Sequence, residues 1–211
     1  MYALILVDIQ NDFMPSGALA VPYGDEIVPL VNQLQDIFDL ITVTKDWHPP
    51  MHSSFASSHP NKQPGDVVES EGLTQVLWPI HCVQGTFGAD FVSGLKQNRW
   101  SKVFLKGTNQ NIDSYSGFYD NGYLKATGLR DYLESKNVST VYIMGLATDY
   151  CVKHTALDAV HSGFNTFVVK DACRGVELNT GDIVTALREM KNSGVKLVES
   201  CEVLKKHSSY Q

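Results

Sequence analysis

Short apolar, β-branched runs recur along this chain at Ala3–Val7, Leu40–Thr44, Lys102–Leu105, Thr140–Met144, Thr166–Val169 and Lys196–Val198. Each is strand-length and almost continuously apolar, the pattern of a strand covered on both faces. Between them lie stretches with helical spacing. Asp25–Phe38 puts Ile27, Val28, Val31, Leu34, Ile37 and Phe38 on one stripe. Leu124–Lys136, Asp149–Ser162 and Asp182–Ser193 repeat the pattern, and Gly163 and Gly194 stand as stop signals just before the next strand. Alternating β and α elements predict a doubly wound α/β fold. It has three α/β/α layers, a six-stranded, mainly parallel sheet and right-handed crossovers.

The one stretch that breaks this grammar is Pro49–Gly88, rich in Pro, His and Ser. A loop of that length inside a compact domain is uncommon unless it is functional. A length of 211 residues is about 1.4 average domains. The expectation is one domain over 1–211 with a long functional loop at about 46–88. Lys and Arg number 17 against 23 Asp and Glu, a net charge of −6, so there is no basic footprint for nucleic acid or an anionic membrane. No apolar run approaches a membrane span, and Met1–Asp8 reads as a first strand, not a signal peptide. A cytoplasmic location is expected. Cys82, Cys151, Cys173 and Cys201 are widely spaced without a CxxC pair, so free thiols are expected, most of them core fillers.

In open parallel sheets ligands bind beyond the carboxyl ends of the strands. The residues that follow the strands here are Asp8, then Lys45 to His48, then Lys106 and Gly107, then Gly145 to Cys151, and then Asp171. A carboxylate, an ammonium, a thiol and metal-ligand types thus converge on one edge. Cys151 is expected just inside a helix capped by Thr148 or Asp149. There the macrodipole and unpaired N–H groups lower a thiol's pKa and can hold an oxyanion. Asp8 is placed to accept its proton and Lys106 to stabilise both anions. Asp46 and His48, with His81, offer two nitrogens and a carboxylate suited to Zn2+ or another first-row divalent ion. His52 and His59 read as solvated loop residues, and His154, His161 and His207 as structural or exposed. Buried structural Cys, a capping Asp and a solvated Lys are the ordinary alternatives for the triad positions taken singly.

Several motifs stand in one order along the chain. They are Val7-Asp8-Ile9-Gln10-Asn11-Asp12-Phe13, Thr44-Lys45-Asp46-Trp47-His48-Pro49 and Trp78-Pro79-Ile80-His81-Cys82-Val83-Gln84-Gly85. Lys106-Gly107 leads into Asp113-Ser114-Tyr115-Ser116-Gly117-Phe118, followed by Gly145 to Val152 and by Asp171-Ala172-Cys173-Arg174-Gly175-Val176. In these motifs the chain resembles the nicotinamidases, or pyrazinamidases, of the isochorismatase-like cysteine hydrolases.

That resemblance implies hydrolysis of nicotinamide to nicotinate and ammonia through a cysteine thioester, in NAD salvage, with pyrazinamidase activity beside it. Cys151 would be the nucleophile, Asp8 the general base and Lys106 its electrostatic partner. The resemblance also implies a cis peptide at Leu146–Ala147, with the N–H groups of Ala147 and Cys151 as oxyanion hole. Phe13, Trp78, Tyr115 and Leu146 would wall the flat ring. Asp46, His48 and His81 would hold the metal, with Zn2+ the expected ion and Fe2+ or Mn2+ the alternatives. Some members add a ligand eight residues after the motif aspartate; here that place is Ser54, expected to meet a metal-bound water instead. The rival readings are an amidohydrolase of the same family acting on another small amide, and a non-catalytic binding module on the same fold. Nicotinamide is the expected partner, and a homo-oligomer is compatible with the sequence.

Overall fold

The structure is a computed structural model that describes residues 1–208, with side chains described as far as Lys205; the side chain of His207 lies outside the described residues. The strands are β1 (Tyr2–Val7), β2 (Ile41–Asp46), β3 (Val67–Ser70), β4 (Leu73–Val76), β5 (Lys102–Lys106), β6 (Thr140–Leu146), β7 (Asn165–Arg174) and β8 (Lys196–Val198). The α-helices are α1 (Ile27–Gln35), α2 (Leu129–Ser135), α3 (Lys153–His161), α4 (Asp182–Asn192) and α5 (Ser200–Ser208). Six strands form one sheet in the order β5-β2-β1-β6-β7-β8, every neighbouring pair parallel. All six expected runs are in it.

The central strand explains itself. Ala3 to Val7 have no exposed surface, so a continuous apolar run is what this position requires. From β1 the chain moves outward to β2 and β5, then returns past β1 to β6, β7 and β8. Right-handed crossovers running in opposite directions put their helices on opposite faces. Accordingly α1 packs against β6, β7 and α5, while α3 packs against β6, β7 and α4. The strand order reverses between β1 and β6, and their carboxyl ends open the crevice where ligands bind in such sheets.

Four local expectations change. The helix expected from Leu124 begins only at Leu129. Gly128 takes φ 88°, and Asp120 gathers the N–H groups of Gly122 and Leu124 into a tight turn that leaves Leu124 77% exposed. The Pro49–Gly88 segment is not plain loop, since β3 and β4 pair antiparallel within it. Helix α5 was not legible as a periodic segment. Asp171 is not at the ligand-binding edge: it lies inside β7, and its carboxylate accepts the N–H of Ser200 at 2.8 Å and the Ser200 hydroxyl, anchoring the start of α5.

At Gly145 the backbone of β1 comes too close for a side chain. This residue takes φ 128°, and a Cβ there would overlap the backbone of Val7 on β1. Only glycine meets both conditions. Gly145→Ala is therefore expected to cost roughly 2–4 kcal/mol, from φ strain plus overpacking. Urea unfolding with an unchanged midpoint would contradict this account.

Candidate active site

The four strand ends nearest the switch point deliver Asp8, Asp46, Lys106 and, one short turn beyond β6, Cys151. Asp8 takes φ 49°, turning the chain out of β1. The side chain of Lys106 has no exposed surface, yet its ammonium has four polar neighbours. Asp46 Oδ1 accepts a very short hydrogen bond from Nζ, Asp8 Oδ2 lies at 2.8 Å, the Ser114 carbonyl at 3.0 Å and Cys151 Sγ at 3.3 Å. Burial pulls the Lys106 value down, but Asp46 and Asp8 outweigh it and hold the group well above the usual lysine value.

Asp8 divides its two oxygens. Oδ1 accepts the Thr44 hydroxyl at 2.7 Å. Oδ2 is paired with Lys106 by distance but not aligned as a hydrogen bond, so its acceptor capacity remains open. Burial, offset by Lys106 and reinforced by Asp46, raises Asp8 above the ordinary carboxylate value and makes it a better base.

Cys151 departs from expectation in two respects. It lies in a π-helical turn, Thr148–Val152, ahead of α3, and the residue at the cap position is Ala147. The Ala147 carbonyl accepts the N–H groups of Tyr150 and Val152 at 3.1 and 3.0 Å, which winds the turn wide. Asp149 is not a cap; its carboxylate accepts the N–H groups of Val176 and Glu177. The thiol is not lowered: burial first, then the carboxylates of Asp8 and Asp46 against Lys106, push it well above the usual cysteine value. That direction favours the protonated thiol over a standing thiolate. The Leu146–Ala147 peptide is cis.

Beside the triad, ligand atoms of Asp46, His48 and His81 lie within 4.8 Å of one another. Asp46 Oδ2 is 3.5 Å from His48 Nε2 and 3.8 Å from His81 Nε2. The other ring nitrogens are spoken for, Nδ1 of His48 by the Gly107 carbonyl at 3.0 Å and Nδ1 of His81 by the Pro79 carbonyl at 2.8 Å. Both rings therefore aim Nε2 at Asp46, in the tautomer a metal needs. A Cβ on Gly107 would overlap the His48 ring, so glycine makes room for that contact. Burial and the neighbouring His48 bring His81 down to about 4, keeping it neutral. His48 is raised, because Asp46 outweighs burial. Asp46 is lowered by Lys106 and His48 against the pull of burial. This donor set fits a divalent cation. The overlapping group Asp8, Asp46 and Cys151 does not, because the Lys106 ammonium already fills it.

The cavity between Cys151 and the Asp46–His81 pair is lined also by Phe13, Leu19, Trp78, Asp113, Tyr115, Ala147, Tyr150 and Val176. Phe13, Trp78 and Tyr115, which the resemblance implies as ring contacts, all line it. Leu146 does not: it is wholly buried and packs toward Gly24 instead. Leu19, Tyr150, Val176 and Asp113 were not expected on the wall. Asp113, Tyr150 and Val176 fall inside motifs already singled out, whereas Leu19 carries no local signal. Trp78 Nε1 and Gln75 Nε2, on the segment around β4, each donate to the Tyr115 hydroxyl at 3.2 Å.

The remaining His and Cys sort simply. His52 is not solvated; it is fully buried against His48, ring centroids 4.3 Å apart, and its Nδ1 meets the Ser54 hydroxyl at 2.7 Å. The Ser54 hydroxyl thus has one partner in His52, and its remaining acceptor capacity is open. His59 is half-buried and held by the Ser53 carbonyl, His154 packs on Tyr115, and His161 is exposed. All four cysteines are free, with Cys82 and Cys173 buried and Cys201 exposed rather than in the core.

Residues 2–202 match the isochorismatase domain, and the chain belongs to that family. Within it the chain is similar to enzymes named as nicotinamidases. It is 46% identical over 202 residues to the nicotinamidase of Acinetobacter baylyi, covering 96% of this chain and 94% of that one. An Acinetobacter baumanii nicotinamidase/pyrazinamidase structure superposes with TM-score 0.94 at 45% identity, covering 96% of this chain and 97% of that one. The pyrazinamidase of Pyrococcus horikoshii in complex with zinc matches with TM-score 0.76 at 40% identity over 94% and 98% of the two chains. No helix among the described residues is long and apolar enough to cross a membrane.

Removing the ammonium is the direct test of this electrostatic arrangement. Lys106→Met leaves Asp8 and Asp46 buried together without their counter-ion and is expected to cost about 3–5 kcal/mol of stability. Denaturant unfolding indistinguishable from wild type would show that the pair does not depend on Lys106.

Proposed function

We propose that this chain is a nicotinamidase, hydrolysing nicotinamide to nicotinate and ammonia, with pyrazinamide as a second substrate and a cytoplasmic role in NAD salvage. The chain acts as one domain whose 46–88 segment supplies metal ligands and part of the ring-binding wall. The observation that carries the reading is one cavity bordered by Cys151, with Asp8 and Lys106 behind it, and by Asp46 and His81.

The chemistry follows from the resting protonation. Substrate binding brings the carboxamide carbon to Cys151, and Asp8 takes the thiol proton as sulfur attacks. The thiolate charge forms 3.3 Å from the Lys106 ammonium, which stabilises it as it appears. The oxyanion is held by the N–H groups of Ala147 and Cys151. Asp8 returns the proton to the leaving nitrogen, ammonia departs and a thioester remains. Asp8 then deprotonates a water that attacks this carbonyl, releasing nicotinate and restoring the thiol. Phe13, Trp78 and Tyr115 hold the flat ring; Tyr115 stays a neutral phenol because burial and Asp113 raise it well above the usual tyrosine value. Asp46, His48 and His81 would hold a divalent ion, Zn2+ by the chemistry of the donors and the zinc-bound relative, whose bound form supplies a Lewis acid for the pyridine nitrogen.

Ammonia release from nicotinamide should be lost in Cys151→Ala, and wild-type activity should vanish with a chelator and return with Zn2+. Full turnover by Cys151→Ala would end the nucleophile assignment. His48→Ala should purify without metal and with weaker nicotinamide binding; unchanged metal content by elemental analysis would refute its role.

The pH profile gives a separate check. The base must be the Asp8 anion, and burial raises its pKa. Protonation therefore removes activity on the acid side, and kcat/KM should rise with pH through a group titrating above the ordinary carboxylate value of about 3.9. An acid limb at or below that value would mean that Asp8 is not the group observed.

A further inference from the structure

The three candidate metal ligands come from two segments far apart in sequence, joined directly by a backbone bridge between His48 and Val83. The turn that follows β1 braces both of them. Gln10 is fully buried, and its carboxamide is spent on backbone. Oε1 accepts the N–H of Asp46 at 2.8 Å, while Nε2 donates to the carbonyls of Asp46 at 2.8 Å and of Ala89 at 2.9 Å. The pairing of β1 with β2 runs only to Leu6 and Val43, because the chain leaves the strand at Asp8. The Gln10 side chain therefore replaces the missing strand partner on one side of Asp46, while Lys106 of β5 remains its ladder partner on the other.

Two residues further on, Asp12 does the same for the other ligands. Its Oδ2 accepts the N–H of Cys82 at 2.7 Å and its Oδ1 accepts that of Ala18 at 3.3 Å. Cys82 adjoins His81 and holds φ 45°, a conformation that needs support in a non-glycine residue. The Cys82 carbonyl in turn accepts the N–H of His48 at 3.0 Å. Gly88 leaves the room, since a Cβ there would overlap the Asp12 carboxylate.

We propose that Gln10 and Asp12 are positioning residues for the metal-ligand set, Gln10 acting through the backbone of Asp46 and Asp12 through Cys82 on His81 and His48. This rests on the reading of Asp46, His48 and His81 as metal ligands. Neither side chain touches the ion; each sets where the ligands converge, as supporting hydrogen bonds do in metal sites generally.

The test is Zn2+ affinity, measured by titrating stripped protein against a chelating dye, with folding followed by circular dichroism. Gln10→Met, close in volume but without hydrogen bonds, and Asp12→Ala should each bind Zn2+ roughly 10–100-fold more weakly than wild type. Asp12→Asn keeps an acceptor oxygen for Cys82 and should recover most of the loss. Leu133→Ala, a core truncation on the buried face of α2, should lower the thermal midpoint without moving Zn2+ affinity. Folded Gln10→Met and Asp12→Ala with affinities within about twofold of wild type would overturn the proposal, a margin well inside the 10–100-fold range. If Gln10→Met fails to fold, the two Asp12 variants decide, since equal loss in Ala and Asn would also overturn it. Wild-type protein that takes up no Zn2+, or His48→Ala that binds as tightly as wild type, would instead sink the underlying metal assignment.

Discussion

A single buried ammonium organises this molecule. Lys106 has no access to solvent and stands between two carboxylates, a carbonyl and a thiol. A charge buried this deeply is tolerated only where it is paired and hydrogen-bonded. Pairing it takes Asp8 from β1 and Asp46 from β2, so the carboxyl ends of three neighbouring strands must meet at one point. Asp46 is shared: Oδ1 answers Lys106, leaving Oδ2 for the two imidazoles. The candidate nucleophile and the candidate metal ligands are therefore parts of one electrostatic unit.

That unit also decides how the thiol works. A helix N-terminus alone would favour a standing thiolate, but complete burial and two nearby carboxylates oppose it more strongly. The balance favours a protonated thiol beside a carboxylate of raised basicity, with an ammonium 3.3 Å from the sulfur. On the proposed mechanism the thiolate would arise only when substrate arrives, so the site would carry no standing exposed nucleophile.

Much of this was legible in the residue order, and the parts that were not share a cause. The six strand runs, the triad positions and the Asp46, His48 and His81 set stand in local patterns of burial and motif. His52 reads as a polar loop residue because its polarity is local, whereas its burial depends on the rings of His48 and Phe55 folding over it. Leu146 lies next to the site in sequence, but its side chain points into the core. Leu19 and Val176 reach the cavity from segments whose approach depends on contacts made elsewhere, Val176 through Asp149. The β3–β4 pair has alternating exposure too shallow to register as a strand pattern.

By itself the sequence determined the alternation of strand and helix, and hence a parallel sheet with its polar residues delivered to one edge. It determined which chemical groups that edge would carry, because strand period and motif order are local properties of the chain. Tertiary structure alone decided what each group became. Solvent exclusion raised the thiol and Asp8, the two carboxylates kept Lys106 charged, and backbone carbonyls from Gly107 and Pro79 set the tautomers of His48 and His81. These depend on distances between residues remote in the chain and on the low-dielectric space they enclose, and neither exists until the sheet has closed around them.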